Sequence, residues 1–540
     1  MRSAISGTSP GRVGDEDMNR LERAVKIFGG VAAVYGAFLL GGALSRHWSA
    51  IDVGAERETY RHYDLIELRA RTRDLALMRA WKKTPPFAIV TRDGLLVTTV
   101  AGIRAVPLVW DARAAAFVGR WPCPWNAPDG EYRPAIFGQG PLQDRLRVRP
   151  FRIARRKTAA IGDRLAVLTW ESVRPLDQLQ VRAPDGTIKD WKGLLDWVQY
   201  VGADAFWMLG GQTPGQEAGE VWVRQNLDKI PEVAQECRRR GIRFGVYAMA
   251  YLTTSSTRRV SGYRYALELE NGVLKATRAI SIADPRRAQD VAAFLKKLRD
   301  IPGVDFLGLD YIRNALGGYE LIDDFVREMP GVHPPREWAG LSLREKAIWF
   351  ARKKIPRRDM EFVDAWQWWR AHKVAGIIQR IKAELGEQKP LWAFTLTWEK
   401  GWQHGQDPVM FCDAGIDADA LMLYEATSAQ FESIVRDWSA YVRRADAPLV
   451  VGDIVDWPLH QKGDRGAGEL YDRLTRAVDR IHSDGPPAGL FIHDLERALH
   501  GRLGPHSTRQ WMDEARRAIR YFKSRPPLQV PKIGAARRNG

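Results

Sequence analysis

The feature that most constrains the fold is a series of short apolar runs, separated by amphipathic stretches, that begins near Ala160. Eight of these runs are typical of buried strands: Leu165–Trp170, Ala205–Leu209, Phe244–Ala248, Phe306–Leu309, Leu391–Thr397, Ala420–Tyr424, Leu449–Ile454 and Gly489–Ile492. Alternating strands and helices indicate a parallel sheet. Eight strands within residues 159–525 predict an α/β fold, a (β/α)8 TIM barrel with insertions. An open doubly wound sheet is the alternative, but no glycine-rich phosphate loop follows the first run.

The longest insertion into this pattern spans residues 314–389 and follows the fourth predicted strand. It contains five tryptophans: Trp338, Trp349, Trp366, Trp368 and Trp369. We expect it to lie over the mouth of the barrel as a lid or a wall of a substrate cleft, with at least half of the indoles packing between helices.

Residues 83–158 have a different residue pattern, in which short runs of β-forming residues recur, such as Phe87–Val90 and Leu95–Val100. Turn signals at Asp93-Gly94 and within Pro128–Gly130 separate the runs, which predicts a small β-sandwich domain. The segment Trp121–Tyr132 resembles the late hairpin of immunoglobulin-like modules attached to extracellular enzymes.

The amino-terminal region predicts attachment to a membrane. Ile27–Leu44 contains no charged residue and follows Arg20, Arg23 and Lys26, so residues 27–45 read as a transmembrane anchor or signal. Because of these basic residues, residues 1–26 are expected to stay in the cytoplasm. We also expect this segment to be disordered. We therefore expect a single-pass protein of a bacterial cytoplasmic membrane, with its bulk in the periplasm or outside. A cleavable signal is the alternative, because Ala43 and Ser45 are small residues at suitable positions.

Between the anchor and the sandwich, residues 46–82 predict a helical stalk. Leu65, Leu68, Thr72 and Leu75 recur at spacings of three and four residues, which is typical of one face of a helix. At the other end of the chain, residues 526–540 form a basic tail.

Composition narrows the choice of partners. The net charge is +17, yet no recognisable nucleic-acid module is present, so we do not expect nucleic-acid binding. The chain has 21 Trp, whose flat faces can stack on sugar rings. Cys123, Cys237 and Cys412 are too few and too far apart for a disulfide framework or a metal site. We expect neither a metal nor another cofactor.

Polar and aromatic residues follow the predicted strands, where a parallel barrel gathers its chemistry. At least five of the eight ends offer a carboxylate beside an aromatic ring. The candidate residues are Trp170, Glu171, Gln212, Tyr247, Asp310, Tyr311, Arg313, Trp398, Glu399, His404, Tyr424, Glu425, Asp453, Asp456, Trp457 and Asp494. Glycoside hydrolysis needs two carboxyl groups and aromatic faces of this kind. Signature motifs of the competing hydrolytic and phosphate-binding chemistries are absent from the sequence.

The stretch Gly303–Arg313 and the later Trp369–Val374 resemble motifs of bacterial glycoside-hydrolase-like barrels of the "family 10-like" group. That family carries Gly-(Val/Ile)-Asp-Gly-Ile-His-(Leu/Phe)-Asp-Tyr-x-Arg and a later Trp-Arg-x-x-x-Val helix. The resemblance covers roughly residues 160–523 and implies a barrel acting on a polysaccharide or oligosaccharide. Asp310, Tyr311 and Arg313 match the motif, whereas Phe306 replaces its glycine and Gly308 its histidine.

These observations predict a retaining mechanism with three candidate catalytic residues. Asp310 would be the nucleophile or charge stabiliser, and Glu399 or Glu425 the general acid. Glu425 is slightly preferred because it follows an apolar strand and a tyrosine. The other strand-end residues would bind substrate, although Asp494 is at least as well suited to cap the final helix.

Two other functions stay open at this point. The same cleft could bind an envelope polysaccharide without cleaving it, as a carbohydrate-binding or scaffold protein. The chain could also be a subunit of a larger membrane complex, since it has an anchor and a basic surface.

Overall fold

The computed structural model describes residues 51–137, 146–162, 164–213, 222, 226–253, 260–354, 359–397, 402–424, 427–442, 447–455, 466–481, 488–501 and 505–525. The predicted cytoplasmic segment 1–26, the anchor 27–45 and the tail 526–540 lie outside these residues. Within the described ranges, no helix is both long enough and apolar enough to cross a membrane.

Two packed sheets form an amino-terminal domain. Their strands are β1 (Ile51–Ala55), β2 (Thr59–Tyr60), β3 (Leu65–Thr72), β4 (Phe87–Arg92), β5 (Leu95–Leu96), β6 (Val106–Pro107), β7 (Val109–Asp111), β8 (Ala116–Pro122), β9 (Gly130–Ile136), β10 (Leu146–Val148) and β11 (Phe151–Ile153). One sheet has the order β10-β1-β3-β8-β7, and the other β2-β11-β9-β4-β5 with β6 on β4. Trp121 is fully buried between them and contacts the rings of Tyr132 and Phe151.

The prediction of a helical stalk over residues 46–82 is wrong for residues 51–72, because these form strands of the sandwich. In β3, Ile66, Leu68 and Ala70 are buried, whereas the residues between them are more exposed. This alternation has the two-residue period of a strand, and pairing with β1 and β8 outweighs the weaker helical spacing. Among the described residues of this segment, the helix is confined to α1 (Leu75–Lys83), which the side chain of Asp74 caps.

Among the described residues that follow the sandwich, eight parallel strands form a closed barrel. The strands from this point on are β12 (Leu165–Trp170), β13 (Val181–Arg182), β14 (Ile188–Lys189), β15 (Ala205–Thr213), β16 (Arg243–Thr253), β17 (Tyr265–Glu270), β18 (Val273–Ile280), β19 (Phe306–Asp310), β20 (Leu391–Leu396), β21 (Ala418–Met422), β22 (Leu449–Ile454) and β23 (Gly489–His493). The barrel order is β15-β12-β23-β22-β21-β20-β19-β16, and pairing of β15 with β16 closes it. All eight predicted strands are present, which confirms the barrel.

Helices surround the barrel and link its strands. They are α2 (Lys192–Val201), α3 (Ile230–Arg239), α4 (Arg287–Arg299), α5 (Ile322–Glu328), α6 (Leu343–Lys354), α7 (Met360–Leu385), α8 (Pro408–Ala414), α9 (Ser428–Val442), α10 (Gly468–Arg480), α11 (Leu495–His500) and α12 (Thr508–Ser524). Short 3-10 turns occupy Val100–Gly102, Leu176–Gln178, Leu227–Lys229, Tyr319–Leu321 and Trp338–Gly340.

The insertion after β19 does not form the expected aromatic wall of a cleft. It contains α5, α6 and α7, and the last of these packs beside α4 and α8 in the helical layer. Trp366, Trp368 and Trp369 are fully buried there. The indole of Trp368 donates to the carbonyl oxygen of Cys123 in the sandwich, at 2.8 Å. Burial of apolar rings between helices and the sandwich therefore accounts for these tryptophans.

The sandwich and the barrel share a polar and aromatic contact. His62 Nδ1 lies 2.5 Å from Asp413 Oδ2 on α8, and both side chains are almost completely buried. The rings of Trp125 and Trp402 stack with centroids 4.0 Å apart. These contacts connect the sandwich to α8 and to the loop between β20 and α8.

Large rings fill the barrel interior and leave no room for a side chain at Gly308. The indoles of Trp207 and Trp392 stack inside the barrel at 4.0 Å. A Cβ added at Gly308 would lie 2.2 Å from the Trp392 ring, and one at Gly245 would lie 2.5 Å from Trp207. Both glycines are therefore required by packing, since no side chain fits where the indoles approach the backbone.

Gly308→Ala should lower the free energy of unfolding by about 1–3 kcal/mol, because the added methyl group overlaps the Trp392 ring. Denaturant or thermal unfolding of the purified chain measures the change. Gly376→Ala in α7 is the matched control: no atom lies within 4 Å of the added methyl group, and alanine favours a helix by about 0.5–1 kcal/mol. Equal stability of both variants would contradict this account of the core.

Candidate active site

The carboxyl ends of the barrel strands surround a cavity of about 330 Å³. Its lining consists of Glu171, Asp310, Tyr311, Arg313, Phe394, Leu396, Met422, Tyr424, Ile454, His493 and Arg497. Both the position at this face and the mixture of aromatic, apolar and charged side chains are typical of a ligand site.

Two carboxyl groups meet in this cavity. Asp310 is the last residue of β19, and Glu171 directly follows β12. The two groups are hydrogen-bonded to each other. The backbone N–H of Tyr311 donates to Asp310 Oδ1 at 2.6 Å, and the Tyr247 hydroxyl donates to Glu171 Oε2 at 3.3 Å. Asp310 is therefore held by a neighbour on its own chain segment and by a side chain from a distant strand.

The surroundings give the two carboxyl groups different protonation states. Burial raises the pKa of Glu171 well above its usual range, and the negative charge of Asp310 raises it further. Burial also raises the pKa of Asp310, but the Arg313 guanidinium and the Tyr311 N–H oppose that rise. Because like charges in contact cannot both ionise at low cost, we assign the proton to Glu171. The protonated carboxyl group of Glu171 then donates a hydrogen bond to the Asp310 carboxylate.

Arg313 and Tyr424 supply hydrogen-bond donors on the lining. The Arg313 guanidinium lies over the ring of Tyr311, with 4.2 Å between its carbon and the ring centroid. Its Nη1 atom is buried without a hydrogen-bond partner, and so is the hydroxyl of Tyr424. Tyr311 has a φ of 49°, a left-handed conformation that is uncommon for a tyrosine. Uncommon backbone angles of this kind cluster at functional sites.

His493, which follows the eighth predicted strand but was not selected as a site residue, also lines the cavity. It ends β23, stacks on Tyr424, and its Nδ1 lies 3.0 Å from the hydroxyl oxygen of Thr169. Burial lowers its pKa to about 3, so the imidazole is neutral. Alternation along β23 is the signal that would have found it, since Phe491 and His493 share the inward face.

Asp494, the candidate beside His493, caps α11 instead of lining the cavity. Its Oδ1 accepts from the backbone N–H of Arg497 at 3.0 Å. Burial raises its pKa to about 7. Arg497 itself lines the cavity, and its Nε lies 3.8 Å from Asp494 Oδ2.

Four further candidates lie away from the cavity. The Trp170 indole is buried outside the barrel sheet and donates to Glu496 Oε2 at 3.3 Å. Asp453 is buried beside Arg473 of α10, with 3.2 Å between Oδ2 and Nη1. Both point outwards because their strand neighbours, Glu171 and Ile454, face the cavity.

Gln212 and His404 also lie away from the cavity, each in different surroundings. Gln212 lies in a separate small pocket with Ser172 and Asn226. His404 Nδ1 lies 3.2 Å from the carbonyl oxygen of Asn314, and burial lowers the pKa of its imidazole to about 3.

Five candidates, including both proposed general acids, lie outside the described residues: Trp398, Glu399, Glu425, Asp456 and Trp457. Of the remaining ones, Glu171, Tyr247, Asp310, Tyr311, Arg313 and Tyr424 are brought together.

No set of three or more His, Cys, Asp or Glu side chains is arranged to hold a metal ion in the part of the chain that the structure describes. The three cysteines are buried as free thiols.

No family profile and no curated protein matches the sequence. Similar solved structures include the exo-β-1,4-mannosidase Op5Man5 from Opitutaceae bacterium strain TAV5, at 9% identity and a TM-score of 0.37 over 66% of this chain and 59% of that one. The catalytic domain of a hyperthermophilic chitinase from Pyrococcus furiosus has 9% identity and a TM-score of 0.37, over 68% of this chain and 99% of that one. GH5_18 from Streptomyces cattleya, in complex with GlcNAc, has 13% identity and a TM-score of 0.38, over 68% and 82%. The structural neighbours are thus glycoside-hydrolase barrels at low identity, and the chain spans little more than half of the mannosidase.

The infrared difference spectrum between wild type and Glu171→Gln should contain the band of a protonated carboxyl group at pH 7. Because the pKa of Glu171 is raised, the proton stays bound at neutral pH and is lost only when the pH rises through that pKa. Glu270→Gln, at an exposed position, is the control for spectral changes that follow the loss of any carboxyl group. A carboxylate band at pH 7 from Glu171 would contradict the assigned protonation.

Proposed function

We propose that the chain is a glycoside hydrolase that acts on a polysaccharide or oligosaccharide by a retaining, two-carboxylate mechanism. The observation that carries the proposal is the Asp310 carboxylate, which keeps its negative charge in a cavity at the carboxyl end of a closed parallel barrel. Retaining hydrolysis needs an ionised carboxylate at the sugar carbon and a second, protonated group at the departing oxygen.

In this proposal Asp310 is the nucleophile or charge stabiliser. It carries the negative charge of the pair, accepts from the Tyr311 N–H, and lies near the positive charge of Arg313. An oxocarbenium-like transition state develops positive charge, which a fixed carboxylate in a poorly solvated cavity stabilises strongly.

Glu171 would orient Asp310 and hold a proton beside it. Two carboxyl groups that are hydrogen-bonded to each other are closer than the separation of about 5–5.5 Å that a scissile bond requires. The general acid must therefore be a third carboxyl group. Glu425 is our preferred candidate because it directly follows Tyr424, a residue of the cavity lining, and Glu399 is the alternative.

Asp310→Gly should reduce hydrolysis of a susceptible 4-nitrophenyl glycoside by about a thousandfold or more, as expected when a nucleophile is removed. The test uses a panel of α- and β-glycosides of glucose, galactose, mannose and N-acetylglucosamine. Azide should restore turnover and yield a glycosyl azide, because a small anion can replace the missing carboxylate. Glu270→Gln is the control for general effects of lost charge, and full activity of Asp310→Gly would exclude the assigned role.

Binding without cleavage is the second candidate function, and the contact between Asp310 and Glu171 favours it. That contact leaves the described lining without a pair of carboxyl groups on opposite sides of a ligand. In this alternative the protein is a carbohydrate-binding or scaffold subunit of an envelope complex. Saturable binding of an oligosaccharide that stays intact on prolonged incubation would support it over hydrolysis.

We also propose that residues 27–45 anchor the chain in a bacterial cytoplasmic membrane, with the remainder in the periplasm or outside. The uncharged run from Ile27 to Leu44, preceded by three basic residues, supports this location. The sandwich would then be an immunoglobulin-like spacer, and a membrane-complex partner is compatible with the same arrangement. Release of the full-length chain from membranes by alkaline carbonate would argue against an anchor.

A further inference from the structure

We propose that the sugar bound in this cavity carries a single negative charge, as a uronic-acid carboxylate or a sulfate ester, and that Arg313 binds it. This inference deepens the proposed function and assumes that the cavity is the carbohydrate site. It rests on a cation of the cavity lining, one of whose nitrogen donors is shielded from solvent and has no hydrogen-bond partner.

The Arg313 guanidinium is poised for a ligand. Its Nη1 atom is shielded from solvent yet has no hydrogen-bond partner, and the side chain lies on the cavity lining. A buried donor without an acceptor is costly, and more so when it belongs to a charged group. The Tyr311 ring under the guanidinium fixes its plane, which leaves its edge for an incoming oxyanion.

Asp310 does not accept a hydrogen bond from Arg313, although it is close enough for the charge of Arg313 to lower its pKa. Its carboxylate already accepts from the Tyr311 N–H and from the protonated Glu171. No ion pair joins Arg313 to a carboxylate among the described residues, so its charge acts on Asp310 at longer range.

Neighbouring groups favour an anion at the same place. The buried hydroxyl of Tyr424 is a second donor without a partner on the lining. Arg497 adds a second positive charge to the lining from α11, beside its contact with Asp494. His493 is neutral and adds no charge of its own.

The charge of the Arg313 guanidinium limits the kind of anion that it can bind. One unpaired guanidinium matches one negative charge, and a planar carboxylate can accept two parallel hydrogen bonds from it. A hydroxyl of a neutral sugar would satisfy one donor but would not compensate the charge. The excess of basic residues over the whole chain, +17, would also draw a polyanion toward the protein.

Isothermal titration of the full-length chain tests the inference without needing turnover. The probes are tetrasaccharides containing glucuronate, galacturonate or mannuronate, each compared with its own methyl ester, and a sulfated galactan tetrasaccharide compared with its desulfated form. We expect at least one acidic probe to bind tenfold or more tightly than its neutral counterpart. Which acidic probe does so distinguishes a carboxylate from a sulfate ester.

Arg313→Gln should remove that preference, with a loss of about 10–100-fold in affinity for the acidic probe, as expected for a charge-assisted hydrogen bond. Arg313→Lys keeps the charge without the planar fork and should lose affinity less. Arg436→Gln, on an exposed helical face, is the matched control and should bind like wild type. Melting temperatures show whether each variant is folded, and Arg313→Lys provides the test if Arg313→Gln is not.

Failure of this inference can be distinguished from failure of the proposed function. Equal binding of acidic and neutral probes, or no binding of any probe, overturns the inference. Cleavage of a neutral glycoside with unchanged kinetics in Arg313→Gln overturns it too, but leaves the hydrolase proposal in place. Selective binding of an acidic probe without cleavage supports the inference and favours the non-catalytic alternative.

Discussion

Closure of the eight-stranded parallel sheet is the constraint on which the core and the candidate site both depend. In a closed barrel every second side chain of each strand faces the interior, so eight distant segments share one enclosed space. Along β19 the inward positions are Phe306, Gly308 and Asp310. The first two accommodate the packed rings around Trp392, and the third opens into the cavity. One strand thus contributes both to the apolar plug, which is the set of packed rings inside the barrel, and to the charged residues that line the cavity next to it.

The apolar plug has an electrostatic consequence. Trp207, Trp392 and Phe394 exclude water from beneath the carboxyl groups of Glu171 and Asp310. In such surroundings ionisation of both groups is unfavourable, so the pair retains a proton. The hydrogen bond from Tyr311 and the charge of Arg313 then decide which group keeps its negative charge. Asp453 differs from these two residues because its carboxylate lies outside the barrel, where it pairs with Arg473 and has a structural role.

The barrel strands could be predicted because each is a short apolar run between helical stretches, and Asp310 because it ends such a run. The contact between Glu171 and Asp310 depends on the register of strands that are far apart in the sequence, which no local pattern encodes. Trp170 and Asp453 were misplaced for a simpler reason, since a shift of one residue at a strand end reverses the direction of a side chain. The alternation of inward and outward side chains along β23 would have identified His493 as a residue that faces the interior.

Some predictions from other parts of the sequence were wrong, and others are untested. The helical spacing of residues 65–75 was weaker than the pairing of β3 with its two neighbours, which no single segment reveals. At least half of the five tryptophans after β19 were expected to pack between helices, and Trp366, Trp368 and Trp369 are fully buried in the helical layer. The expected aromatic wall of a cleft is not formed by these three rings. The roles of Glu399 and Glu425 remain predictions from the sequence, because both lie outside the described residues.

Covalent labelling tests the central claim, that Asp310 is the ionised catalytic carboxylate of a retaining site, most directly. The full-length chain would be incubated with cyclophellitol aziridines of gluco, galacto and glucurono configuration, which esterify the nucleophile of retaining glycosidases, and then digested for peptide mass spectrometry. Our account predicts one label, on the peptide that contains Asp310, and its loss in Asp310→Asn. A label on a different carboxylate, or none while the protein still hydrolyses a glycoside, would contradict it.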